Sequence, residues 1–191
     1  MNHCGTQPLE TGRLLLRPFR LTDAGAAFRN WCSDPRVTEF LTWPPHADPS
    51  VTERVISSWV ERYPQPDYYQ WAIELKRLGE PIGSITVVQS NEDLGLAHIG
   101  YCVGHDWWHQ GIMTEAFSAV IAFLCGTVGF NRIEAGHDTA NPRSGAVMRK
   151  CGLKYEGTLR QAARNNRGIV DICMYGGLRE ELMGDAAQVE G

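Results

Sequence analysis

The spacing of apolar residues changes character along the chain, and each change marks an element. Residues 13–18 (RLLLRP) form an apolar run closed by Pro18, which has no amide hydrogen to continue a ladder, and predict a strand. Thr22 is placed to cap a helix reaching about Cys32, and Asp34-Pro35 opens another short one. Ser50 and Glu53 form a capping-box pair before VISSWV and predict a third helix to about Tyr63. From Tyr68 the pattern turns to β: YYQWAIELK, PIGSITVVQ and LAHIGYCV read as a meander of three strands, with turns at Leu78-Gly79-Glu80 and near Asn91 to Gly95. Ile112, Ala116, Val120 and Leu124 then recur on one face of a helix over residues 111–125, with Thr114, Glu115 and Ser118 off it. A strand from Asn131 to Asp138 follows, then a helix opened by Asn141-Pro142 and ended by Gly152. LKYEGTLRQ and IVDICMY form a last hairpin, turning near Asn165 to Gly168.

Strands alternate with helices only in the second half of this order. The expected fold is therefore α/β (α+β), a mixed sheet flanked by helices, not a doubly wound parallel one. The strand count is seven. At 191 residues, with no repeat and no linker between unlike halves, the chain reads as a single domain, 1–191. The prolines at 44, 45, 49, 64 and 66 make residues 43–67 an irregular insertion within it.

Composition narrows the partners. The chain is 43% hydrophobic and 21% charged, which suits a folded core. Its net charge of -4, without any block of like charge, lacks the footprint of a nucleic-acid binder. The first residues carry neither a basic start nor an apolar core, and no 18-residue apolar run occurs, so the expectation is a cytoplasmic chain with no membrane segment. Cys4, Cys32, Cys102, Cys125, Cys151 and Cys173 are scattered without a C-x-x-C pair and read as reduced and structural.

The segment from His98 to Ala116 carries the chemistry. An apolar strand ending at Val103 runs through GHDWWHQG into the amphipathic helix. At such a junction the first helical turn has backbone N–H groups without intrahelical acceptors, and the helix dipole adds roughly half a positive charge, so an anion is held without Lys or Arg. Gly111 lets the backbone approach closely. Helix initiation alone explains the same glycine. His105 and His109 have metal-like spacing, but no third ligand accompanies them, and no metal is expected.

HIGYCVGHDWWHQGIMTEA, followed by DTANPRSGAVMRKCGLKYEG, resembles the GNAT acyl-CoA N-acyltransferases, most of all the branch that acetylates ribosomal-protein N-termini. The likeness covers about residues 9–182 and includes the opening TGRLLLRPF. It implies a seven-stranded mixed sheet splayed between its fourth and fifth strands, with acetyl-CoA as co-substrate and its pantetheine arm in the gap. The implied diphosphate loop runs from Trp108 to Thr114, with the backbone N–H groups of His109, Gln110, Gly111, Ile112, Met113 and Thr114 as donors. Two positions depart from the family pattern: Trp108 stands where Arg or Gln is usual, and Met113 takes a small residue's place, which narrows the space for phosphate. Asn141 matches a position meeting the pantetheine arm, besides being an N-cap. Ser144 matches the position near the thioester sulfur. Cys102 and Val103 fall on the splayed strand, whose backbone pairs with pantetheine and supplies an N–H for the oxyanion.

Transfer to an amine needs a neutral nucleophile. An α-amine with pKa about 7.8 costs roughly 1 kcal/mol to neutralise at pH 7, and a lysine at about 10.4 nearer 5. His98 has a reference pKa suited to the task and is the candidate base, with a buried neutral histidine as the structural alternative. The tyrosine that many GNAT enzymes use as acid falls on Met148, and the branch's carboxylate base on Ala163, so that catalytic pair is not transferred. Ser144 is the implied substitute acid, with Tyr101, Tyr155 and Tyr175 as further phenols. Trp43, in irregular chain, is the candidate wall of an acceptor groove, with Glu39 and Asp48 nearby. The expected activity is acetyl transfer from acetyl-CoA to a primary amine, with a protein or peptide N-terminus preferred. A small-molecule amine and a non-catalytic acyl-CoA-binding module are the alternatives. A homodimer is compatible with the sequence and not required by it.

Overall fold

The computed structural model describes residues 1–184. Its strands are β1 (Leu9–Glu10), β2 (Leu14–Arg17), β3 (Gln70–Leu75), β4 (Glu80–Asn91), β5 (Leu96–Val103), β6 (Arg132–Asp138), β7 (Lys154–Asn165) and β8 (Gly168–Leu178). They form one sheet in the order β1-β2-β3-β4-β5-β6-β8-β7. Every neighbouring pair is antiparallel except β5 with β6. The sheet has eight strands against the seven expected. The extra one, β1, is two residues paired with Leu15 and Leu16, too short to show a period of its own.

The helices are α1 (Ala24–Ala27), α2 (Pro35–Thr38), α3 (Pro49–Val60), α4 (Ile112–Phe123), α5 (Pro142–Lys150) and α6 (Arg179–Met183). The single helix expected from Thr22 to Cys32 is instead a 3-10 turn, the short α1 and a π segment. Its start is set by Asp23, whose carboxylate accepts from the Arg20 N–H and from both Nη atoms of buried Arg17 at 2.7 and 2.9 Å. The helix expected through VISSWV forms, but its cap is Asp48, which accepts from the Ser50 N–H at 2.9 Å with Pro49 in the first turn. The Ser50–Glu53 box is therefore not the device used. Asp48 is tied into the helix end.

Side chains alternate across the sheet, and two apolar clusters cover its two faces. On one face Leu14, Leu16, Trp71, Ile73, Ile85 and Ile99 pack against Ile112, Ala116, Phe117, Val120 and Leu124 of the helical region opened by α4. On the other, Ala72 and half-buried Cys102 meet Phe19, just after β2, and Trp31, Val37 and Ile56 from the N-terminal helices. The predicted α4 stripe is thus the stripe that is buried. Tyr101 belongs to the α4 face, whereas Cys102, and with it His98 four residues earlier, belongs to the face of α1 and α3.

Candidate active site

The parallel pairing of β5 with β6 covers only Leu96–His98 against Arg132–Glu134. Beyond His98 the strands part, β6 continuing against β8 and β5 against β4. A wedge-shaped gap opens there, with its apex at His98. Its mouth has a specific plug. The Gly104 N–H donates to Ile82 O on β4 at 2.8 Å, and the trans peptide turns the Val103 carbonyl the opposite way, towards the gap. There the Trp108 indole N–H donates to it at 2.9 Å. The Val103 carbonyl, one of the groups read as a pantetheine partner, already has a donor.

After the 3-10 turn His105–Trp107, the chain passes Trp108 and enters α4 through two left-handed residues, His109 at φ 61° and Gly111 at φ 73°. Among the described residues none of the backbone N–H groups from His109 to Thr114 has a hydrogen-bond acceptor. Six donors at a helix start therefore form a cradle for an anion. The loop is braced from behind: Arg13 donates from Nη1 to the Gln110 carbonyl at 2.8 Å and from Nε to Glu115 at 2.6 Å. Burial pushes the Glu115 carboxyl up, but the Thr11 hydroxyl and the Arg13 donors outweigh it and hold the group below its usual range. Met113 points into the core, 6% exposed, so it does not narrow the cradle.

Polar groups flank the gap on both faces. On the α4 face the Tyr101 hydroxyl lies 2.9 Å from Ser144 Oγ and donates to the Ser144 carbonyl at 3.1 Å, reaching from β5 to the first turn of α5. Burial pushes the Tyr101 phenol up, so it stays protonated at neutral pH. On the other face His98 Nδ1 lies 3.1 Å from Glu134 Oε1. Cys102 shares that face, with its thiol beside the Ser84 hydroxyl and pushed up by burial. Asn141 begins α5, but its side chain makes no capping bond; its backbone N–H donates to Asp138 O at 2.7 Å. Met148 is buried in the core, 1% exposed, and Ala163 sits in the bulged part of β7.

The far end of the wedge is bridged by the tip of the β7–β8 hairpin. Asn166 donates from Nδ2 to Thr38 O at 2.7 Å and to Trp43 O at 2.8 Å, and its N–H donates to Leu41 O. Asn165 and Arg167 both reach the Asp138 carboxylate, and Arg167 also lies 3.8 Å from Glu39. Trp43 is half-buried against the N-terminal cluster with His46 beside its ring. The sequence reading identified Trp43 and Glu39 but missed Glu134, Asp138, Asn166 and Arg167. The partners that tie them into the site lie 27 to 128 positions away, and nothing local announces them.

Residues 13–154 match the acetyltransferase (GNAT) domain family. The chain belongs to that family. As a GNAT enzyme it transfers acetyl groups with acetyl-CoA as co-substrate, and the anion cradle beside a splayed strand pair fits a diphosphate-bearing thioester. The uncharacterized N-acetyltransferase p20 of Bacillus licheniformis is 29% identical over 178 residues, 93% of this chain and 99% of the relative. The [ribosomal protein uS5]-alanine N-acetyltransferase of Escherichia coli is 35% identical over 60 residues, 31% of each chain. Among solved structures, the microcin C7 self-immunity acetyltransferase MccE, determined with acetyl-CoA and AMP, superposes with a TM-score of 0.79 at 20% identity, covering 88% of this chain and 93% of that one.

Proposed function

We propose that this chain acetylates the terminal α-amine of a protein or peptide by direct attack on acetyl-CoA in a ternary complex, within one catalytic domain whose core spans residues 9–182. The observation that carries this reading is the wedge beyond His98, which has a cradle of free N–H groups at one end and polar side chains on both faces.

In this reading the diphosphate lies on the N–H groups from His109 to Thr114, where the dipole of α4 adds to their attraction. The pantetheine arm follows the free edge of β5 past Tyr101 and Cys102, near Asn141. Because the Trp108 indole holds the Val103 carbonyl, that residue offers the arm only its remaining capacity, and Trp108 acts as the edge of the channel. A β5 backbone N–H at the gap meets the developing oxyanion. The amine arrives on the face of His98, loses a proton to the imidazole and attacks the thioester carbonyl. As the C–S bond breaks, the nitrogen sheds its second proton and the sulfur takes one up to leave as the CoA thiol on the opposite face, where the Ser144 hydroxyl, backed by Tyr101, supplies a hydrogen bond. Ser144, held by Tyr101, thus takes the place of the phenol absent at Met148.

The hairpin clasp favours a chain terminus over an internal lysine. With Asn166 joined to residues 38–43, the acceptor side is roofed by Trp43 and its neighbours, and an end threads beneath a roof more readily than a continuous chain. A weak base such as His98 also suits an α-amine, which needs about 1 kcal/mol at pH 7 where lysine needs nearer 5. An assay following free CoA thiol should give higher kcat/KM for N-terminal peptides than for lysine peptides or small amines. Turnover on small amines alone overturns the acceptor assignment; acetyl-CoA binding without turnover on any of them overturns the catalytic one.

A further inference from the structure

We infer that Glu134 is a positioning residue that fixes the tautomer of His98; the inference rests on the reading of His98 as base. The two residues are register partners, the last pair before β5 and β6 separate, so their side chains leave the sheet on the same face. Glu134 Oε1 is 3.1 Å from His98 Nδ1. An ionised carboxylate only accepts, so Nδ1 carries the hydrogen, and in the neutral ring Nε2 is left with its lone pair. The Nδ1 contact with Glu134 is the one hydrogen bond of the His98 side chain among the described residues, and that side chain is 25% exposed.

Arg132 does not take Glu134 away from this role. Its short bonds go to Glu156, at 2.9 and 2.5 Å, while its contacts with Glu134 are 3.3 and 3.4 Å and use Oε2, leaving Oε1 to the imidazole. Two carboxylates share one guanidinium, and the surplus negative charge faces His98. Gln89, the neighbour on β4, adds no charge. With Nδ1–H held by Glu134, the lone pair on Nε2 is the one that takes a proton from the acceptor ammonium. The N–H bond of the ammonium breaks, its electron pair stays on the amine nitrogen, and the proton passes from the exposed ring to solvent after transfer.

Long-range proton–nitrogen correlation spectra of the full chain labelled with 15N-histidine test this directly. His98, assigned by its loss in His98→Ala, is expected as the Nδ1–H tautomer at high pH in the wild type and as a mixture in Glu134→Ala. Glu134→Gln keeps an acceptor but loses the charge. It should retain the tautomer and most of kcat, which Glu134→Ala lowers about tenfold with KM for acetyl-CoA unchanged. An Nε2–H tautomer in the wild type, or a tautomer unchanged in Glu134→Ala, overturns the inference. If His98→Ala itself keeps the wild-type rate and profile, the base assignment fails instead, which the tautomer spectra report separately.

Discussion

Gly111 shows how one residue couples backbone conformation to ligand chemistry. Its φ of 73° is a conformation that glycine adopts freely and that costs an L-residue about 1–2 kcal/mol. A Cβ there would find space, meeting only Arg13 Nη2 at 3.6 Å, so the penalty for Gly111→Ala is conformational and not steric. Urea unfolding should show a loss of about 1 kcal/mol, and calorimetry a weaker acetyl-CoA affinity as the neighbouring N–H groups lose their alignment. Ser144 acts late in the reaction on the reading above. Ser144→Ala should lower kcat by about a hundredfold while KM for acetyl-CoA stays within twofold; an unchanged kcat removes it from the site. The glycine was legible from its place between an apolar strand and an amphipathic helix. The Ser144–Tyr101 pair was not, because residues 43 apart meet only once β5 and α5 have been packed.

At the scale of elements, apolar periodicity read well wherever a stripe is buried, as in α4, and badly wherever polar chemistry sets the ends. Both Asp48 and Ser50 belong to the residue class that caps helices, and Pro49 between them decides which one does. Proline at the first helical position sacrifices a hydrogen that has no partner there anyway, so the cap falls one residue before it. Asp48→Ala should therefore destabilise the chain by about 1 kcal/mol in thermal unfolding, and Ser50→Ala by much less. The break of the expected helix after Thr22 has a different origin. Arg17 emerges from β2 buried and needs carboxylates, and Asp23 and Glu74 supply them at 2.6 to 2.9 Å. Geometry around that guanidinium, not helix propensity, determines where α1 begins.

For the whole molecule, the hairpin tip joins the C-terminal strands to the loop after α2 and closes the wedge. Asn166→Ala removes two side-chain hydrogen bonds of the clasp, worth roughly 1 kcal/mol each. Hydrogen exchange at residues 165–168 should accelerate and KM for acceptor peptides should rise, with acetyl-CoA affinity unaltered. The clasp is also pH-sensitive through Asp138, whose side chain is 2% exposed. Burial pushes its carboxyl up, but the Ala140 N–H, Asn165 and Arg167 more than offset this and hold it below its usual range. A group depressed on folding stabilises fully above its unfolded pKa of about 3.9, and that contribution is lost as pH falls through the lower folded value. Exchange at the tip should therefore rise in acid, and Asp138→Asn should flatten the dependence. By itself the sequence determined the mixed sheet with flanking helices, the helix start with unpaired donors and the likeness to the GNAT enzymes, because periodicity, glycine placement and unpaired helix donors are local properties of the chain. Only the tertiary structure decided which carboxylate faces His98, which phenol reaches Ser144 and which indole closes the channel. Those contacts depend on strand register and on where two strands stop pairing, and a sheet fixes both only when all its strands are assembled.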